Sequence, residues 1–172
     1  LIISDHGFHN YRRGLHVNSW LQQNGFQALV EGKTEGRDLG DIDWSRTQAY
    51  ALGTGQIYLN RQGREFGGLV TEAQAPEIMN RIREGLLGLR DVERGNVPVV
   101  VRIYDGRAVY RGARVNEGPD LQIAFAENYR TSWESILGAS PAGLFRDNPS
   151  KWSGDHRSEE HTSELQSPLN IS

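Results

Sequence analysis

Apolar and polar positions along this chain follow two periods, and the changes between them mark out its elements. Leu1-Ile2-Ile3 is a short branched apolar run, closed by Ser4-Asp5-His6-Gly7. Such a run reads as a buried strand that delivers side chains to the rim of a sheet. Phe8 to Arg13 reads as a polar loop. Leu15, Val17, Trp20 and Leu21 then predict a helix over roughly Leu15 to Asn24, with Gly25 as its C′ residue. Phe26 to Val30 predicts a short strand, residues 31–43 an exposed charged loop, and Thr47 to Leu52 a weakly alternating stretch broken at Gly53-Thr54-Gly55. Gln56 to Asn60, with β-branched and aromatic residues, predicts a strand, and Gly63-Arg64-Glu65 and Gly67-Gly68 are turn material.

The longest helical pattern runs over residues 72–90. Thr71 with Gln74 fits a capping box, and Pro76 also allows a start near Ala75 with the proline in the first turn. Ile78, Ile82, Leu86 and Leu89 form one apolar stripe at helical spacing, which assigns them to the core. Val97 to Tyr104 predicts a strand interrupted at Pro98, with Asp105-Gly106 as its turn. Leu121 to Phe125 predicts a strand entered from Gly118-Pro119-Asp120, and residues 127–151 read as loop-rich. Strand and helix alternate without internal repeats, so the class is α/β.

The net charge of −3 over 172 residues changes little in this picture. Residues 157–172 hold one arginine against three glutamates, which leaves −1 for the rest. A chain so near neutrality, without a basic cluster, carries no electrostatic footprint for nucleic acid. It has no cysteine, which excludes disulfides and thiolate metal sites, and no apolar run long enough to span a bilayer. Compartment and oligomeric state stay open. Arg157-Ser-Glu-Glu-His-Thr-Ser-Glu-Leu-Gln-Ser167 resembles an in-frame translation of a sequencing-adapter oligonucleotide and shows no periodicity. Residues 157–172 are therefore expected to be a non-native disordered tail, His161 included. The natural sequence is expected to be truncated at both ends, with residues 1–156 forming part of one catalytic domain.

Two stretches carry candidate chemistry. Asp5 and His6 offer a carboxylate and an imidazole, both good zinc ligands, and Gly7 lets the backbone turn so that they converge. In open α/β folds, ligands bind beyond the carboxyl ends of strands, where this pair falls. Far along the chain, Trp152-Ser153-Gly154-Asp155-His156 supplies a second histidine.

The order Ser4-Asp5-His6-Gly7-Phe8, Asn18-Ser19-Trp20-Leu21, Asn24-Gly25-Phe26, Asp43-Trp44-Ser45-Arg46-Thr47 with Ala49-Tyr50, Ile57-Tyr58-Leu59-Asn60, Gly63-Arg64-Glu65, Pro119-Asp120-Leu121 and Trp152 to His156 resembles the alkaline phosphatase superfamily. More narrowly, it is similar to the type I phosphodiesterase/nucleotide pyrophosphatase-like branch. The resemblance covers residues 1–156 as the C-terminal portion of a longer enzyme, and implies part of an alkaline-phosphatase-like three-layer α/β/α sandwich. It further implies two zinc ions about 4 Å apart, with Mn2+ as another possible metal, and a small phosphoester as substrate. Asp5 and His6 would ligate the zinc that activates a Thr or Ser nucleophile, and His156 would ligate the other. That nucleophile, a further Asp and an Asp-xxx-His pair would lie upstream of Leu1, so the segment alone is expected to be inactive. The implied reaction is cleavage of phosphodiesters or nucleotide pyrophosphates through a covalent phospho-enzyme. A sulfatase, phosphonate hydrolase or phosphomutase of the same fold, or a degenerate non-enzymatic member, would share these ligands. The identity of the upstream nucleophile would separate them.

Other polar residues receive plainer readings. His9 and His16 are read as solvated or structural. Asp155 is read either as an acceptor that orients the His156 imidazole or as an exposed turn residue. Arg64 could hold a phosphate oxygen, but a surface ion pair with Glu65 or another acid is preferred. Thr47 and Thr54 are set aside as nucleophiles, and Trp20, Trp44, Trp133 and Trp152 are assigned to packing.

Overall fold

The computed structural model describes residues 7–157. The strand expected at Leu1 to Ile3, the Asp5-His6 pair and the tail from Ser158 lie outside the described residues. In chain order the elements are β1 (Gly7–Leu15), α1 (Val17–Gln23), β2 (Ala49–Ala51), β3 (Gln56–Leu59) and α2 (Ala75–Leu87). They continue with β4 (Arg90–Asp91), β5 (Val97–Pro98), β6 (Val100–Asp105), α3 (Gly106–Val109) and β7 (Leu121–Phe125). The last are β8 (Asn128–Thr131), α4 (Trp133–Ile136), β9 (Phe145–Asp147) and β10 (Gly154–Arg157). The architecture is mixed α/β with small sheets and few helices.

One sheet has the order β2-β3-β7-β6, antiparallel throughout. Its inner face places Ala49, Ala51, Ile57, Leu59, Leu121 and Ile123 in the core. Helix α2 packs on β6 and α1 on β2. The apolar stripe of α2 is buried at Ile78, Ile82 and Leu86, while Leu89, past the helix end, packs partly buried. The second reading of its start holds, and the Thr71–Gln74 bonds expected of a capping box close the turn before it. The helix begins at Ala75 with Pro76 in its first turn, and the Thr71 amide donates to Gln74 Oε1 at 3.0 Å while the Gln74 amide donates to Thr71 Oγ1 at 3.3 Å. The helix predicted near Leu15–Asn24 forms at Val17–Gln23, with Gly25 left-handed at φ +78° just past its C-cap.

The second sheet is built on β1. Strand β8 runs parallel along one edge, while β10 and β9 pair antiparallel with successive parts of the other. Here the expected polar loop over Phe8 to Arg13 is corrected to a strand. Its polarity conceals burial by pairing. Arg13 is enclosed because its Nη1 donates to both oxygens of Asp91, at 2.9 and 2.7 Å, and its Nη2 to Glu93. Gly14 serves close approach, since a Cβ there would lie 2.9 Å from Ser132 Cα.

Other boundaries also move. Phe26 to Val30 is irregular rather than a strand. Phe26 and Leu29 are buried, but the Ala28 amide donates to Thr47 Oγ1 at 3.0 Å, and the Gln48 and Ala49 amides both reach the Phe26 carbonyl. A side chain and a crossing loop thus take the backbone groups that a strand would pair. The loop over 31–43 is not wholly exposed, because Asp41 and Ile42 are buried, Asp41 holding Lys33 and the Arg37 amide. Asp105 caps α3 by accepting from the Arg107 amide at 2.9 Å, rather than closing a hairpin with Gly106. The stretch 127–151 holds β8, α4 and β9, and Arg157, assigned to the tail, closes β10 opposite Gly7.

A methyl group at position 14 has only the β8–α4 backbone to displace. Gly14→Ala is expected to cost about 1–3 kcal/mol, read as a lower urea midpoint at unchanged m-value. A neutral outcome would show that β8 can retreat from β1.

Candidate functional site

Of the three residues expected to bind metal, Asp5 and His6 lie outside the described residues, and His156 stands in β10. The backbone places the second histidine motif directly on the strand that follows the first. In the antiparallel β1–β10 ladder, Gly7 pairs with Arg157, Phe8 with His156, His9 with Asp155 and Asn10 with Gly154. His9 therefore sits in a strand rather than a loop. The junction is tightened by the Tyr11 amide, which donates to the Ser153 carbonyl at 2.6 Å, and by Ser153 Oγ, which donates to Asn10 Oδ1 at 3.1 Å.

Asp155 matches neither expectation fully. Its carboxylate is mostly buried and ion-paired to Arg130 Nη1 at 2.9 Å. The Arg130 guanidinium lies over the Tyr11 ring at 4.7 Å and the Trp133 ring at 4.1 Å, and its Nε donates to the Thr131 carbonyl at 3.0 Å. Arg64 is an internal strut. It donates to Asp120 Oδ2 at 2.8 Å, to Glu65 Oε1 at 2.7 Å and to the Leu59 carbonyl at 2.6 Å. The expected pairing with Glu65 and with another acid, Asp120, exists, but it is internal rather than at the surface. Asp120 also takes Arg61 and the Leu59 amide, both at 2.7 Å, so its four contacts leave Arg64 committed to the fold.

Thr47 is fully buried and its hydroxyl accepts from the Ala28 amide, which commits it to the fold, while Thr54 is exposed. Trp20 stacks on Phe26 and Trp44 meets Tyr50 edge-on, as packing residues do. Trp133 covers Arg130 while staying largely exposed, and Trp152 is 83% exposed, which corrects its packing assignment.

Beside the ladder lies a cavity of about 740 Å3, with Asn10, Tyr11, Arg12, Asn128, Tyr129 and Ser153 among its walls. That volume is in the range that holds a small organic molecule. Behind it, Tyr129 Oη donates to Asp91 Oδ2 at 2.8 Å, and burial together with this bond pushes the phenol pKa up to about 12. Tyr129 is thus a neutral donor across the physiological range. Arg13, Asp91 and Arg130 escaped sequence reasoning, because partners 78 and 25 positions apart leave no periodic trace. Among the described residues, no three His, Asp or Glu side chains converge as a metal site, and no helix is long and apolar enough to cross a membrane.

His16 is buried, not solvated. It precedes α1 with Nδ1 2.7 Å from Ser132 Oγ, tying α1 to the cap of α4.

No protein-family model matches this chain, and no solved structure matches it. Among curated proteins, a stretch of 76 residues, 44% of this chain, is 34% identical to Protein CfxQ of Xanthobacter flavus. The match covers 24% of that protein, so the shared stretch spans about a quarter of the relative's length. That name states no reaction or ligand.

Burial first, and then the Arg146 charge, hold the His16 pKa below its ordinary value. The unfolded chain therefore takes up this proton before the folded one does. The contribution of His16 is complete above about pH 6.5 and is lost as pH falls below it. Thermal unfolding between pH 7 and pH 5 should show that slope, and His16→Gln should flatten it relative to wild type. Equal slopes in the two proteins would place the imidazole in water.

Proposed function

We propose that this chain is part of a di-zinc phosphoester hydrolase of the alkaline phosphatase superfamily, in the type I phosphodiesterase/nucleotide pyrophosphatase-like branch. Its substrates are phosphodiesters or nucleotide pyrophosphates, and its strands and helices belong to a larger α/β/α sandwich. The observation that carries the reading is the β1–β10 register. The strand that carries the second motif, about 150 positions further along the sequence, pairs with β1, which begins at Gly7, the residue after His6, and His156 stands opposite Phe8. Phe8 is two residues past His6, and two residues span at most about 7 Å.

The donor set fits zinc in kind. Asp5, His6 and His156 offer one carboxylate and two imidazoles, the hard-to-borderline ligands that zinc takes without redox chemistry. They fall short of two four-ligand shells, so the remaining ligands and the Thr or Ser nucleophile come from upstream sequence. When bound, such ions lower the pKa of a hydroxyl nucleophile and neutralise charge on the phosphoryl group. The described residues supply the frame. Ladder β1–β10 fixes the backbone of His156 against Phe8, and the adjoining cavity, with the exposed Arg12 on its wall, can receive an organic substituent of the ester.

The test uses the protein at its full coding length. Purified in zinc-supplemented buffer, it should retain about two zinc ions per chain and hydrolyse bis(p-nitrophenyl) phosphate in preference to p-nitrophenyl phosphate and p-nitrocatechol sulfate. His156→Ala should lower zinc content and reduce kcat/KM by at least about 100-fold. Residues 1–156 alone should be inactive. A full-length protein that retains no divalent metal, or whose His156→Ala variant keeps its zinc and its rate, would defeat the reading.

A further inference from the structure

Strand β10 poses a problem of register. It has four residues and, among the described residues, lies at a sheet edge and pairs with the first part of β1. Backbone ladders are indifferent to side-chain identity, and a slip of one residue turns every side chain to the opposite face. Strands that bury an apolar row are pinned by it, but β10 has none. Gly154 lacks a side chain and the preceding Trp152 stands out in solvent. Among the described side chains, Ser153, bonded to Asn10, and Asp155 act on the register, and Asp155 is the charged one within β10.

Its partner is preset to receive it. Arg130 belongs to β8, on the far edge of β1, so the ion pair crosses the central strand diagonally. Tyr11 on β1 and Trp133 on α4 lie against the guanidinium, and the Thr131 carbonyl holds Nε, which sets the plane before Asp155 arrives. Side-chain exposure is only 8% for Arg130 and 18% for Asp155. A slipped strand would present Gly154 or His156 at that position and leave a nearly buried guanidinium without its carboxylate, which is costly. A lysine could carry the charge but not the stacked plane.

We propose that Arg130 is a positioning residue: by clamping Asp155 across β1 it fixes the register of β10 and thereby places His156 for metal binding. This rests on the di-zinc reading. It assigns Arg130, Tyr11, Trp133 and Asp155 one shared purpose, and it explains why Trp133 lies against an arginine while largely exposed.

The experiment uses the full-length protein with Asp155→Asn and Arg130→Lys, and with Glu117→Gln as a control in the exposed Arg114–Glu117 pair remote from β10. Hydrogen exchange of the metal-free protein is followed at residues 153–157, and zinc affinity is measured by competition with a chromogenic chelator. Both clamp variants should exchange faster at residues 153–157 and bind zinc about 10- to 100-fold more weakly. Saturating zinc should restore kcat with KM unchanged, and Glu117→Gln should match wild type in every readout. If either clamp variant loses its cooperative unfolding transition, Asp155→Glu replaces it and should recover part of both the protection and the affinity. Faster exchange with unchanged zinc affinity would reduce the clamp to a structural tie and overturn the proposal, as would no change in either measurement. A wild-type protein that binds no zinc while the variants exchange faster would show instead that the di-zinc reading had failed beneath a real clamp, and the positioning role would fall with it.

Discussion

Buried guanidinium–carboxylate pairing is the constraint on which this fold depends. Three sets recur: Arg13 with Asp91, Arg61 and Arg64 with Asp120, and Arg130 with Asp155. Each joins segments that the backbone alone would leave independent. Asp91 follows α2 and reaches β1; Asp120 precedes β7 and holds the turn after β3; Asp155 ties an edge strand to the opposite edge of its sheet. Such pairs contribute little net stability over an apolar replacement, because desolvating both charges offsets most of their attraction. Their effect is on specificity. A half-made pair leaves a charge stranded, at about 3–5 kcal/mol, so misregistered alternatives are penalised far more than the native pairing is rewarded.

The same pairing explains which parts of the structure were legible in sequence. Where burial is apolar, pattern and structure agree: the Ile78–Ile82–Leu86 stripe, β3 at Gln56–Leu59 and β7 at Leu121–Phe125 fall where periodicity puts them. Where burial is achieved by charge, the pattern misleads. Tyr11-Arg12-Arg13 is polar enough to read as loop, yet Tyr11 and Arg13 are buried because an arginine covers one and carboxylates surround the other. The reverse error occurs at Phe26 to Val30, an apolar run whose backbone is claimed by Thr47 and a crossing loop. At the candidate site, the pairing of the His156 strand with the start of β1 followed from no local signal, since register between distant segments is a tertiary property. The motifs were visible as residue types in order, and the pairing of β10 with β1 was not.

Two sheets divide the labour of the chain. The β2-β3-β7-β6 sheet, with α1 and α2, encloses most of the aliphatic core and is held by packing. The sheet on β1 contributes Leu15 and Tyr129 to that core but joins its strands largely through ion pairs and aromatic–guanidinium contacts. Apolar packing offers nothing to a small charged ligand, whereas paired charges respond to one, even where burial shields them from salt. The binding of an anionic ester and metal ions proposed above would be better placed on the second kind of sheet, where strand positions answer to electrostatics, than in a core where any shift opens a cavity. Regions that bind ligands are drawn from the less stable end of a protein's range, and a four-residue strand without an apolar row belongs there. The buried arginines supply what such a strand lacks: an orientation fixed in advance by rigid neighbours, so that the free energy of ordering it is spent in folding and not at the moment of binding.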